Sequence, residues 1–160
     1  MRYIRHFFLY FFCFMVQHTL LGSVDIAGTS PDLILILTIV ITFCVGTFDA
    51  IIYGTVCGLA ADILWGSVAG VYGSLYFLVG AAMLILRRIF ADDSRLILLA
   101  ITGVSTIVCY AGASLLTNII TGMGPGMMMA MSHVPVAIIL NCIAVMWIAP
   151  FFDKKSGYVA

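Results

Sequence analysis

The chain has 160 residues and no net formal charge, but 64% of its residues are hydrophobic and only 9% are charged. Soluble domains carry about 25% charged residues, so this composition excludes soluble globular, disordered and nucleic-acid-binding proteins. The apolar residues form continuous blocks instead of the alternating strands of a membrane barrel, and we therefore expect an all-α polytopic transmembrane bundle.

Six apolar segments approach the roughly 20 residues that a membrane-spanning helix needs. In chain order they predict one integral membrane domain over residues 1–160, with helices at about residues 4–22, 31–46, 49–65, 71–86, 96–120 and 132–152. The first is expected to be a retained helix and not a signal peptide, because no clear cleavage site follows it. The spans within 32–86 are short, and a broken or re-entrant one is tolerated only where protein buries its backbone.

Local residues predict how two of the helices begin. Before the second helix, Ser30 is a candidate cap, Pro31 suits the first turn, and Asp32 complements the positive end of the helix dipole. Before the sixth helix, Ser132 is a candidate cap and Pro135 is expected in the first turn.

The basic residues predict the orientation of the helices. With six helices and a cytoplasmic N-terminus, every lysine and arginine falls on the cytoplasmic side, as the positive-inside rule requires. These residues are Arg2, Arg5, Arg87, Arg88, Arg95, Lys154 and Lys155.

The segment "GTVCGLAADILWGS" places an acid among small residues in an apolar helix. Gly54, Gly58, Asp62 and Gly66 recur every four residues, so the first three share one helix face. The glycines predict a groove that another helix can enter. An acid near the bilayer centre costs about 2.5–3.5 kcal/mol, so Asp62 is expected to accept hydrogen bonds from N–H or hydroxyl groups in residues 66–74. A proton or ion ligand is the alternative role.

Catalytic and metal-binding patterns are weak. The five cysteines contain no CxxC pair, the histidines lack metal-ligand spacing, and no nucleotide-binding motif is present. We therefore expect no metal, no cofactor and no catalytic residue. A Ser114–His133 dyad of an intramembrane protease is a remote alternative, and Asn118 and Asn141 are expected to form hydrogen bonds between helices.

Residues 30–80 resemble the MreD family of bacterial rod shape-determining inner-membrane proteins. The resemblance rests on "SPDLILILTIV" followed by "YGTVCGLAADILWGSVAGVYGSLYFLVG". One departure is "GTFDA" after the Pro-Asp helix, where the family usually has basic residues. The positions that the resemblance marks for helix packing or partner contact are Pro31, Asp32, Gly54, Gly58, Asp62, Gly66 and Gly70.

The resemblance implies a non-enzymatic role in the cell elongation machinery. The implied partners are a bitopic MreC-like scaffold, membrane lipid and, indirectly, MreB, RodA and its transpeptidase partner, which together maintain rod shape and lateral peptidoglycan synthesis. It also implies a fold similar to the substrate-binding subunits of energy-coupling-factor transporters. A small-molecule-binding subunit of that type is the alternative function, and it requires a polar pocket on the outer face.

Overall fold

The computed structural model describes residues 2–19, 29–65, 68–89, 95–122 and 127–152. Within these ranges the helices are α1 (Arg2–Thr19), α2 (Leu33–Val40) with a π-helical extension (Ile41–Val45), α3 (Phe48–Trp65), α4 (Val71–Ile89), α5 (Arg95–Thr121) and α6 (Met127–Phe152). Val71–Ile89, Arg95–Thr121 and Met131–Phe152 are long and apolar enough to cross a membrane. The prediction of an all-helical membrane bundle is confirmed.

Both predicted helix starts need correction. The first residue of α2 is Leu33 and its cap is Asp32, not Ser30, because the Asp32 side chain accepts the Leu35 N–H. Helix α6 begins at Met127, so Ser132 and Pro135 lie inside it. Methionine is a good helix former, and a proline inside a membrane helix is tolerated where neighbouring groups compensate for the lost backbone bond.

Helix α2 is the centre of the bundle. Every side chain from Ile34 to Val40 is at most 1% exposed, and α2 packs against each of the other five helices. Its sequence, LILILTIV, is apolar on all faces, which is the pattern of a helix buried all round. The segment Leu33–Val45 is a short apolar helix of about 19 Å, whereas α5 is about 40 Å long. Helix α2 therefore begins deep inside the bundle.

The other helices are buried on one side and apolar on the other. Exposed side chains on these outer faces include Phe8 on α1, Ile63 on α3, Leu78 on α4, Ile119 on α5 and Trp147 on α6, with exposures of 58–78%. Lipid tails are as apolar as these side chains, so a bilayer accommodates such a surface where water would not.

Arg87, Arg88 and Arg95 lie at one end of the bundle. Gln17, near the end of α1, binds Ile34 at the start of α2, so these helices run in opposite directions. Tyr76, near the beginning of α4, bonds Asp32 at the beginning of α2, and Arg87, near the end of α4, contacts Gly46 after α2. Arg87 and Arg88 therefore lie at the same end of the bundle as the beginning of α1. Arg95 begins α5 at this same end.

A glycine between α2 and α3 makes room for one of these arginines. The N–H of Gly46 bonds Ile41 O at 3.1 Å, and its φ of 71° is a left-handed conformation that favours glycine. The Arg87 guanidinium occupies the space that a Cβ atom on Gly46 would need. The break "GTFDA" lacks a basic residue of its own, but α4 places a positive charge against it.

The glycines of α3 pack within the chain. A Cβ atom on Gly58 would lie 2.6 Å from Tyr76 Cδ2 and 3.0 Å from Gly73 N, and one on Gly73 would lie 3.2 Å from Leu59 N. A Cβ atom on Gly54 would collide with Thr38 of α2. The groove predicted from the sequence exists, but helices α2 and α4 of the same chain fill it, so a partner helix has no access to it at these positions.

We predict opposite effects for two glycine-to-alanine substitutions in helix interiors. Gly58→Ala forces Tyr76 or α4 to move and is expected to lower the free energy of unfolding by about 1–3 kcal/mol. Gly103→Ala is the matched control: its Cβ would lie 3.7 Å from Ile138 Cγ2, an ordinary contact, and alanine favours helix by up to about 1 kcal/mol. Thermal unfolding in detergent measures both, and equal stability of the two variants would contradict the proposed close packing.

Candidate functional site

Asp32 organises the beginning of α2 through its own backbone and side chain. Its Oδ1 accepts the Leu35 N–H at 3.1 Å, and its carbonyl oxygen accepts the Ile36 N–H at 3.0 Å. These bonds satisfy two of the N–H groups that a helix leaves free at its first turn. The proline before it lacks an N–H, so the Pro31–Asp32 pair starts a helix without leaving that donor buried.

Two further helices bind the same carboxylate. Gln17 Nε2 of α1 donates to Oδ1 at 3.3 Å, and Tyr76 OH of α4 donates to Oδ2 at 2.6 Å. Gln17 also accepts the Ile34 N–H through Oε1 at 3.1 Å. Because these bonds join α1 and α4 to the beginning of α2, the residues around Asp32 hold the three helices in register.

Asn141 extends this network to the last two helices. Its Oδ1 accepts the Asp32 N–H at 2.9 Å, and its Nδ2 donates to Thr106 Oγ1 at 3.0 Å. The Thr106 hydroxyl in turn donates to Thr102 O at 2.8 Å. The prediction that Asn141 bonds between helices is confirmed, whereas the Asn118 Nδ2 atom donates to Ser114 O within α5.

Asp62 caps α4 from the preceding helix. Its Oδ2 accepts the N–H groups of Gly70 and Gly73, each at 3.1 Å, and the residue is only 2% exposed. The φ of Gly70 is 97°, a left-handed conformation that brings its N–H to the carboxylate side of the turn. The predicted hydrogen-bonding role is confirmed. The negative charge also lies against the positive end of the α4 dipole. Gly66 lies outside the described residues.

A pocket of about 230 Å³ opens beside Asp32 on the side away from the arginines. Helices α1, α3, α4 and α5 line it together with residues 30–32, which precede α2, and the lining includes hydroxyl, amide, imidazole and carboxylate groups. Its lining residues are Gln17, His18, Ser30, Pro31, Asp32, Ala61, Tyr72, Tyr76 and Tyr110. Within the described residues, no three histidine, cysteine or acidic side chains are grouped to hold a metal ion.

The residues that the family resemblance marks lie at three different places in the structure. Asp32 is the centre of the hydrogen-bond network and Pro31 lines the pocket beside it. Gly54 and Gly58 contact α2 and α4, and Asp62 bonds Gly70. The sequence did not identify Gln17, Tyr76 or Tyr110. Their only signal is polarity within apolar segments, and the distances of 15 and 44 residues that separate Gln17 and Tyr76 from Asp32 hid their common partner.

Comparison with known families finds a match over almost the whole chain. The family model for rod shape-determining protein MreD matches residues 1–155, which include every helix described above. The comparisons with curated proteins and with solved structures found no match.

Substitutions of Asp62 are predicted to distinguish a hydrogen-bonding role from a role of its charge. Asp62→Asn keeps an oxygen that can accept the Gly70 and Gly73 N–H groups, whereas Asp62→Leu leaves both unpaired, at about 1–3 kcal/mol for each buried group. We expect the Asn variant to unfold at a temperature closer to that of the wild type. Equal losses in both variants would show that the negative charge is required.

A matched pair of asparagine substitutions tests the network around Asp32. Asn141→Leu removes the partner of two groups on other helices and is expected to cost several kcal/mol, because buried groups lose their bonds. In the wild type the Asn118 amide bonds Ser114 one turn away in the same helix. Asn118→Leu is therefore expected to lower the free energy of unfolding by less. Chemical unfolding in detergent compares them, and an equal or larger loss for Asn118→Leu would contradict the central position of Asn141.

Proposed function

The chain belongs to the MreD family, whose members are rod shape-determining membrane proteins, and on that premise we propose that it is a non-enzymatic component of the bacterial cell elongation machinery. In this role it binds an MreC-like bitopic scaffold and supports lateral peptidoglycan synthesis, with MreB, RodA and its transpeptidase partner as indirect partners. The observation that carries the proposal is the family match over 1–155, because it includes all the helices and not a single motif.

The internal geometry supports a structural role for the marked residues. The carboxylates of Asp32 and Asp62 accept hydrogen bonds from N–H and hydroxyl groups of their own chain. The bond from Tyr76 joins α4 to the beginning of α2, and the bond from Gly70 joins the beginning of α4 to α3. We propose that Pro31, Asp32, Gly54, Gly58, Asp62, Gly66 and Gly70 shape the fold of one integral domain over residues 1–160. Because α2 and α4 cover these glycines, we propose that partners contact the outward apolar faces of the helices.

We propose that the end of the bundle carrying the arginines faces the cytoplasm. Arg87, Arg88 and Arg95 lie at this end together with the beginning of α1, and the positive-inside rule places such an end on the cytoplasmic side. Both termini of the protein are then cytoplasmic, and the protein resides in the bacterial inner membrane.

Reporter fusions test this orientation. A reporter active only outside the cytoplasm should be inactive when fused within residues 90–94 and active when fused within residues 123–126. A cytoplasm-specific reporter at the same two positions is the control and should give the reverse pattern. Activity of the external reporter within residues 90–94 would contradict the proposed topology.

Affinity purification tests the scaffold function. The full-length protein, tagged at its C-terminus and expressed at its native level in the source bacterium, is extracted in mild detergent, and mass spectrometry identifies the proteins that co-purify. We expect an MreC-like single-span protein and cell-wall synthases, absent from a purification of an unrelated tagged membrane protein of similar abundance.

One structural observation favours a second candidate function. A small-molecule-binding subunit of an energy-coupling-factor type transporter needs a polar pocket at its outer end, and the pocket of about 230 Å³ lies on the side away from the arginines. Recovery of an ATPase pair with a coupling membrane subunit, without cell-wall proteins, would overturn the scaffold function in favour of this one.

A further inference from the structure

The pocket beside Asp32 has the size of a binding site for a small chemical group. Its volume of about 230 Å³ equals that of roughly seven or eight liquid water molecules and is below the 300–1,000 Å³ range of sites for drug-sized ligands. Tyr72 is 40% exposed and forms part of the wall, so the pocket is accessible from outside the bundle. It therefore suits a small molecule or the head of a larger one.

The charges around the pocket favour a cation. Asp32 is the one acidic residue among the lining residues that the structure describes, and a cation beside it would stabilise its charged form against the cost of burial. A second acid, Asp62, lies outside the lining and bonds Gly70 and Gly73, the residues on either side of the Val71–Tyr72 pair. No lysine or arginine is found among the lining residues that the structure describes.

The pocket wall also provides the groups that bind organic cations. Tyr72, Tyr76 and Tyr110 contribute three aromatic rings, and the first two have centroids 6.0 Å apart at an interplanar angle of 53°. Aromatic faces attract ammonium groups within about 6 Å. A carboxylate can accept about four hydrogen bonds, and within the described residues Asp32 accepts three, from Leu35, Gln17 and Tyr76. One acceptor position therefore remains for a ligand.

We propose that this pocket binds an ammonium group, with the Asp32 carboxylate as its counter-ion and the tyrosines as its aromatic wall. The ammonium group belongs either to a free amine or to the headgroup of a lipid such as phosphatidylethanolamine. This inference goes beyond the scaffold function and does not depend on it, because it uses only the geometry of the pocket.

The test uses the full-length protein in nanodiscs made only of phosphatidylglycerol, a lipid without an ammonium group. Ethanolamine, choline and inorganic phosphate are titrated separately at constant ionic strength while the unfolding temperature is recorded. A second set of nanodiscs contains phosphatidylethanolamine. A rise in unfolding temperature with a soluble amine assigns the site to a free amine, and a rise only with phosphatidylethanolamine assigns it to the lipid headgroup.

Three variants show whether binding occurs in this pocket. Tyr72→Ala removes one wall and is expected to weaken amine binding about fivefold, and Asp32→Asn removes the counter-ion and is expected to weaken it more than tenfold. Phe77→Ala is the matched control, since this α4 aromatic residue is 49% exposed and does not line the pocket. Because Asp32→Asn also alters the cap of α2, Tyr72→Ala decides the result if that variant fails to fold.

Three results would overturn the proposal. The first is no rise in unfolding temperature with either amine or with phosphatidylethanolamine, and the second is a rise with phosphate as large as that with the amines. The third is an amine affinity of Tyr72→Ala equal to that of Phe77→Ala. The proposal of a scaffold function is decided separately by co-purification, so the failure of either proposal leaves the other intact.

Discussion

The fold depends on the hydrogen-bond partners that the backbone N–H groups at the beginning of α2 find inside the bundle. Helix ends expose backbone N–H groups, and burying them without partners costs about 1–3 kcal/mol each. Asp32 accepts two such groups, Gln17 accepts a third, and Tyr76 and Asn141 bind Asp32 in turn. The same bonds that make a short buried helix possible therefore also fix the positions of α1, α4 and α6.

Close backbone packing completes this arrangement. Helices α3 and α4 approach closely where Gly58 faces Gly73, and Tyr76 of α4, which packs on Gly58, bonds Asp32. Asp62 then caps α4 at the turn above the contact. The glycines set the spacing between α3 and α4. At that spacing Asp62 of α3 bonds the beginning of α4, and Tyr76 of α4 bonds Asp32.

This division of polar and apolar groups has a functional consequence. The acids and amides in the interior bond to neighbouring helices, while the outer faces carry large apolar side chains such as Phe8 and Trp147. A hydrogen-bonded interior with an apolar exterior suits a protein that is embedded in a bilayer. The polar pocket beside Asp32 lies at the end of the bundle opposite the arginines.

The sequence by itself determined the helical membrane class, the family resemblance and the role of Asp62, because composition, a four-residue spacing and an acid beside a glycine-rich turn are local signals. It predicted the approximate helices but misplaced the caps, since Asp32 and Ser30 are both good capping residues and only the path of the chain selects one. Only the tertiary structure decided that α2 and α4 fill the glycine groove and that Gln17, Tyr76 and Asn141 meet at Asp32. These contacts join residues up to 109 positions apart, and no local pattern specifies which buried polar groups will become partners once the helices pack.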